Sequence, residues 1–169
     1  MFKFGRNIRT VIVLSYIGLA GAQTPSWKEY VYADDGFAIT VPASPREHAD
    51  PANPEFTVYS LPLPDKAILN MRVSRQKRDC ASMLAQLKEG ALRGESGILP
   101  SSVRTLSLDG SPGLEYEWTG PAHTSSDRFY CVSGKFYAFS ASWPRGTERP
   151  SVIIRAINSF RLLGSESKK

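Results

Sequence analysis

The chain has 169 residues, 41% of them hydrophobic and 22% charged, with 12 Pro and 13 Gly. That length suits one compact domain, and the composition excludes collagen, a long coiled coil and a wholly disordered chain. The net charge is +5, but Lys3, Arg6 and Arg9 stand in the first 22 positions without an acid, leaving 18 bases against 16 acids from Gln23 onward. A remainder of +2 gives no electrostatic footprint for a nucleic-acid partner.

The N-terminus has a basic start, an apolar run over residues 11–20, and the small residues Ala20-Gly21-Ala22. This three-part pattern predicts a secretory signal peptide over residues 1–22, cut between Ala22 and Gln23. The apolar run falls short of the roughly 20 residues a membrane span needs. No later segment is long and apolar enough to cross a bilayer, so no membrane span is expected after cleavage. Residues 23–164 are then expected to form a single domain, followed by a polar tail at 165–169. Cys80 and Cys131 are the only cysteines. In an exported chain they are expected to pair; the alternatives are two buried free thiols or a catalytic cysteine. An apolar strand pattern around Cys131 disfavours a thiolate there.

Taken in chain order, residues 28–33 and 37–41 read as strands joined by the tight turn Asp34-Asp35-Gly36. Residues 42–54, with Pro42, Pro45, Pro51 and Pro54, read as a loop. Strands are expected at 55–61 and 67–74. The period then changes to helical, from an N-cap at Asp79 through Cys80, Met83, Leu84, Leu87 and Ala91, with Gly90 and Gly94 weakening and ending the helix. Residues 102–108 suggest a strand and 109–113 a turn, and 114–119 alternates strictly, with Leu114, Tyr116 and Trp118 on the inner face. A polar loop is expected at 120–127. The hairpin 128–132 and 135–143 follows, its second strand apolar on both faces and hence central. A last helix is expected from about Thr147 to Asn158, with Ile153, Ile157 and Phe160 as its buried stripe. Hairpins dominate over βαβ units, so the fold class is α+β, a mostly antiparallel sheet covered by two amphipathic helices.

Several short patterns occur in a telling order: Trp27-x-x-Tyr30; Asp35-Gly36-Phe37-x-Ile39-x-Val41-Pro42-x-x-Pro45; Gly113-Leu-Glu-Tyr-x-Trp118; Arg128-x-Tyr130; Tyr137-x-Phe139; and Ile157-x-Ser159-Phe160. Together, over about residues 27–162, they resemble the small PsbP-like proteins of bacteria. That fold is shared by the photosystem II extrinsic protein and a Ran-binding nuclear import factor. The resemblance implies an α/β/α sandwich around an antiparallel sheet, serving as a non-enzymatic protein-binding or assembly module. The manganese or calcium ligands of the plant protein are not recognisable in this sequence, and neither is a lipid-bearing cysteine. Photosynthetic function is therefore not carried over.

Chemistry-bearing patterns are sparse. The only histidines are His48 and His123. His123 with Ser125, Ser126 and Asp127 could be a fragment of a hydrolase triad, but sequence neighbours rarely form one. Gly94-Glu95-Ser96-Gly97 is one residue short of a nucleophile elbow. His48, Asp50, His123 and Asp127 could converge on a metal, although their spacing resembles no rigid site. Asp34 and Asp35 fit a hairpin turn better than a calcium site. Arg72, Arg75, Lys77 and Arg78 form the densest basic cluster, best read as a solvated strand end with a polyanion or anionic lipid as the alternative. Trp27, Trp118 and Trp143 recur at strand spacing, which favours core packing over a sugar platform. Loops 42–54 and 120–127 are the places where a partner surface would lie.

The sequence thus leads to an exported, non-catalytic interaction or assembly module of the bacterial cell envelope, with no cofactor and another envelope protein as its partner. A small-ligand binder with a pocket between sheet and helix is the second expectation, and a hydrolase centred on His123 the third.

Overall fold

The computed structural model describes residues 26–74 and 79–164. The expected leader over 1–22, its Ala22/Gln23 junction, three members of the basic cluster (Arg75, Lys77 and Arg78) and the tail at 165–169 lie outside the described residues.

The chain begins with five strands, β1 (Lys28–Tyr32), β2 (Phe37–Val41), β3 (Arg46–Ala49), β4 (Phe56–Pro62) and β5 (Ile68–Ser74). After helix α1 (Cys80–Leu92) come β6 (Arg104–Leu108), β7 (Ser111–Thr119), β8 (His123–Val132) and β9 (Lys135–Pro144), then α2 (Ser151–Asn158) and the short β10 (Arg161–Leu162). All paired strands run antiparallel. They form a seven-stranded sheet in the order β3-β4-β5-β9-β8-β7-β6 and a three-stranded sheet in the order β1-β2-β10.

β9 sits at the middle of the large sheet, as its double-sided apolar pattern requires. Tyr137, Phe139, Ala141 and Trp143 point into one core with the small sheet and Ile153, Ala156 and Ile157 of α2. Phe136 and Ala138 point the other way, into a second core with α1. The layers are therefore α1, large sheet, then small sheet with α2. Among the described residues no helix is long and apolar enough to cross a membrane.

The residues of the recurring patterns hold these layers together. Phe160 packs its ring on Phe37, Tyr130, Tyr137 and Phe139, with centroids 4.7–6.2 Å apart. The Ser159 hydroxyl accepts from Thr40 N at 2.9 Å, tying the end of α2 to β2. The Arg155 guanidinium lies 3.9 Å from the Trp27 ring centre. On the opposite side, Asp79 caps α1 by accepting from Ser82 N at 3.2 Å. Cys80 and Cys131 form a disulfide, which excludes both the free-thiol and the catalytic reading. The bond closes a sequence separation of 51 and pins the start of α1 to β8.

Four local expectations need correction. Residues 42–54 are not all loop: β3 fits between Pro45 and Pro51, where no proline interrupts its ladder, and stays exposed as the edge of the sheet. Residues 120–127 are not a loop either, because β8 begins at His123 and only 120–122 turn. Its polar run hid a strand whose Ser125 and Ser126 are fully buried between β7 and β9. The turn expected at 109–113 is only Asp109-Gly110, both at positive φ, so β7 starts at Ser111. Helix α1, by contrast, runs through Gly90 and ends at Leu92, just before the left-handed Gly94, as expected. Helix α2 starts at Ser151, because Pro150 is still extended at φ −60°, ψ 134°.

Gly113 explains its place in the sequence pattern sterically. A Cβ there would meet the Tyr130 ring at 2.6 Å and the Phe129 carbonyl at 2.7 Å. Gly113→Ala is expected to destabilise the protein by about 1–3 kcal/mol, read as a lower urea midpoint with an unchanged m-value.

Candidate functional site

The α1-facing side of the large sheet changes character along its strands. On β9 the row reads Phe136, Ala138, Ser140, Ser142; on β8, in the opposite chain sense, Cys131, Phe129, Asp127, Ser125. Strand pairing sets Phe129 opposite Ala138, Asp127 opposite Ser140 and Tyr116 opposite Asp127. Large apolar side chains thus give way, within two residue steps, to small and polar ones. Helix α1 packs closely on the apolar half, and beside it opens a cavity of about 710 Å³. This lies within the roughly 300–1,000 Å³ range of small-molecule pockets.

The walls are aromatic and aliphatic: Phe56, Tyr116, Trp118 and Phe129 from the sheet, Met83 and Leu87 from the helix. Ala138 forms part of the floor, its small side chain leaving the space open. Gly90 and Glu95 close the helix end. A Cβ on Gly90 would stand 2.6 Å from Glu95 Oε2, so the bare glycine lets that carboxylate lie against the helix.

Four charged side chains line the cavity. Asp50 is buried; its Oδ1 accepts from Ala52 N at 2.9 Å and Asn53 N at 3.3 Å, and its Oδ2 lies 3.3 Å from Arg72 Nε. Glu95 pairs with Arg93, at 2.9 Å to Nε and 2.8 Å to Nη2. Asp127 Oδ2 accepts from the Trp118 indole N–H at 3.1 Å, while Oδ1 is buried without a hydrogen-bond partner. Burial raises the Asp127 carboxyl above its ordinary range, against the pull of Ser140, Trp118 and the Arg72 charge. The Tyr116 hydroxyl is pushed up to about 12, first by burial and then by the Asp127 charge.

Other expected site residues are not brought together. His48 is exposed on β3. His123 rests edge-on against the Trp118 ring, centroids 5.0 Å apart. It lies four residues from Asp127 on one strand, so their Cα atoms are about 13 Å apart. Ser126 points to the other face, toward Glu115 at 3.4 Å. Among the described residues, no group of three or more His, Cys, Asp or Glu is placed to hold a metal ion. Ser96 does adopt the left-handed conformation of an elbow, φ 56°, ψ 28°, but in a turn after a helix rather than between strand and helix. Asp35 is tied by the Tyr59 hydroxyl and by Lys135 at 3.5 Å, which anchors the β1–β2 connection. That connection is a turn of four residues, 33–36, one more than the three expected. Trp143 is buried, with its N–H on the Thr147 carbonyl at 3.3 Å. Of the three tryptophans, Trp118 alone reaches the cavity.

The sequence matches no family model and no curated protein. The structure is similar to the solution structure of cyanobacterial PsbP (CyanoP) from Synechocystis sp. PCC 6803. The TM-score is 0.55 at 15% identity, covering 84% of this chain and 95% of that one. It is also similar to a crystal structure from Bacteroides thetaiotaomicron, with a TM-score of 0.52 at 11% identity, over 84% of this chain and 50% of that one. At such identities the likeness is one of fold: this chain has a PsbP-like fold.

The Asp127 carboxyl yields a signed pH dependence. A carboxyl whose folded-state pKa is raised favours the folded state below its unfolded pKa and loses that contribution as pH rises through the folded value. Asp127→Asn keeps an acceptor for Trp118 and removes the buried charge. The variant is expected to melt higher than the parent at neutral pH, the gap closing below the carboxylate range; thermal melts across pH check this.

Proposed function

We propose that this protein binds a small organic molecule in the cavity between α1 and the large sheet, without transforming it, in an oxidising compartment outside the cytoplasm. The observation that carries the reading is the roughly 710 Å³ cavity, walled by aromatic rings and containing the desolvated Asp127 carboxyl at its polar end. Apolar walls supply binding energy, and a few fixed polar groups supply orientation. The two imidazoles stand outside the cavity lining, which supports binding without general-base chemistry. The Cys80–Cys131 bond and the basic, then apolar, then small-residue order of positions 1–22 support export.

The interaction-module reading has less to stand on. The exposed large apolar side chains Val31, Ile68, Leu92, Leu99 and Ile154 sit on five different segments, whereas the cavity gathers its apolar walls in one place.

The neutral fluorophore N-phenyl-1-naphthylamine tests the binding site. Saturable fluorescence enhancement with one site per chain is expected. Ala138→Leu from the floor and Leu87→Trp from the helix should each weaken it at least tenfold while melting temperature holds. Absence of saturable binding, or equal binding by both filled variants, would overturn the proposal.

A further inference from the structure

We infer that the cavity beneath α1 takes an organic ammonium ion, a protonated amine carried on an apolar or aromatic body, with the amine seated on the Asp127 carboxylate. The inference rests on the ligand-binding reading above and names the chemistry of its ligand.

The charges lining the cavity leave one vacancy for a cation. Arg72 is committed to Asp50 at 3.3 Å, and Glu95 is held by Arg93 at 2.8–2.9 Å. Asp127 has no ion-pair partner among the described residues. Its neutral contacts are the Trp118 N–H at 3.1 Å and the Ser140 hydroxyl facing it across the β8–β9 ladder. A carboxylate largely withdrawn from water, with the Arg72 charge acting on it from beyond ion-pair distance, favours a ligand that brings positive charge and N–H donors together.

The walls agree with that charge. Tyr116 and Phe129 lie with ring centroids 5.4 Å apart, and Trp118 reaches the same carboxylate with its indole edge. Aromatic faces carry negative potential and attract a cation, with an effect that grows where water is excluded. An anionic ligand would meet three acids and would need Arg72 released from Asp50. A bare metal ion would find one carboxylate where it needs several oxygen ligands. An ammonium group with an apolar tail fits both halves of the cavity.

The experiment compares three probes of one shape: 2-phenylethylammonium, 2-phenylethanol and 3-phenylpropionate. Binding to the full chain with its disulfide intact is followed by the Trp118 indole N–H signal in 15N-labelled protein. The ammonium is expected to bind at least tenfold tighter than the alcohol, and the carboxylate weakest of the three. Asp127→Asn should bring the ammonium down to about the affinity that the alcohol has for the same variant, with the fold intact by melting. If the alcohol or carboxylate binds as tightly as the ammonium, or if Asp127→Asn leaves the ammonium preference unaltered, the ammonium assignment falls and the cavity remains a ligand site. If none of the three shifts the Trp118 signal, the ammonium assignment and the ligand-binding reading fall together.

Discussion

Everything in this molecule is arranged around a strand that must bury both of its faces. β9 carries Tyr137, Phe139, Ala141 and Trp143 on one side and Phe136 and Ala138 on the other. Neither row can be left in water, since burial of each large side chain contributes about 1.5–3 kcal/mol. Layers are therefore required above and below. The chain supplies the lower layer early and late, from β1, β2, α2 and β10, and the upper one from α1 in the middle. Ends that are distant in sequence meet because both serve the same face of β9.

The two layers are not equivalent, and the difference makes the cavity. The lower core is continuous, with Phe160 at the centre of an aromatic group formed with Phe37, Tyr130, Tyr137 and Phe139. The upper core is covered by one helix of 13 residues, about 20 Å long. Such a helix cannot roof a seven-stranded sheet whose strands lie about 4.8 Å apart. What it leaves uncovered carries small and polar side chains, Ser140 and Ser142 on β9 and Asp127 on β8. The disulfide fixes the N-terminal end of α1 over Cys131, so the uncovered region lies at one reproducible place.

Most of the architecture was legible from side-chain period. The helical spacing of Cys80, Leu84, Leu87 and Ala91 and the alternation through Leu114, Tyr116 and Trp118 each named an element and its inner face. The residues 123–127 were not legible as strand, because His-Thr-Ser-Ser-Asp carries no hydrophobic alternation. They pair because neighbours on both sides supply ladder partners, a tertiary effect that local propensity does not contain. That one error concealed the site. With 120–127 taken as a loop, Asp127 had no reason to face Tyr116 and Trp118. Arg72 is solvent-exposed, as its place in a basic run suggested, but only strand pairing beside β4 reveals that its Nε also rests on the buried Asp50.

Three of the positions at which local rules are broken border the same cavity. Asp127 places a carboxyl on a buried strand where β-propensity disfavours it. Gly90 stands inside a helix, where it costs about 1 kcal/mol relative to alanine. Ser96 holds a left-handed backbone at φ 56°, a conformation that suits glycine better. Each lowers stability, and none is needed to close either core. These residues converge on the cavity from β8, α1 and the α1–β6 connection, a convergence that the proposed binding site would account for.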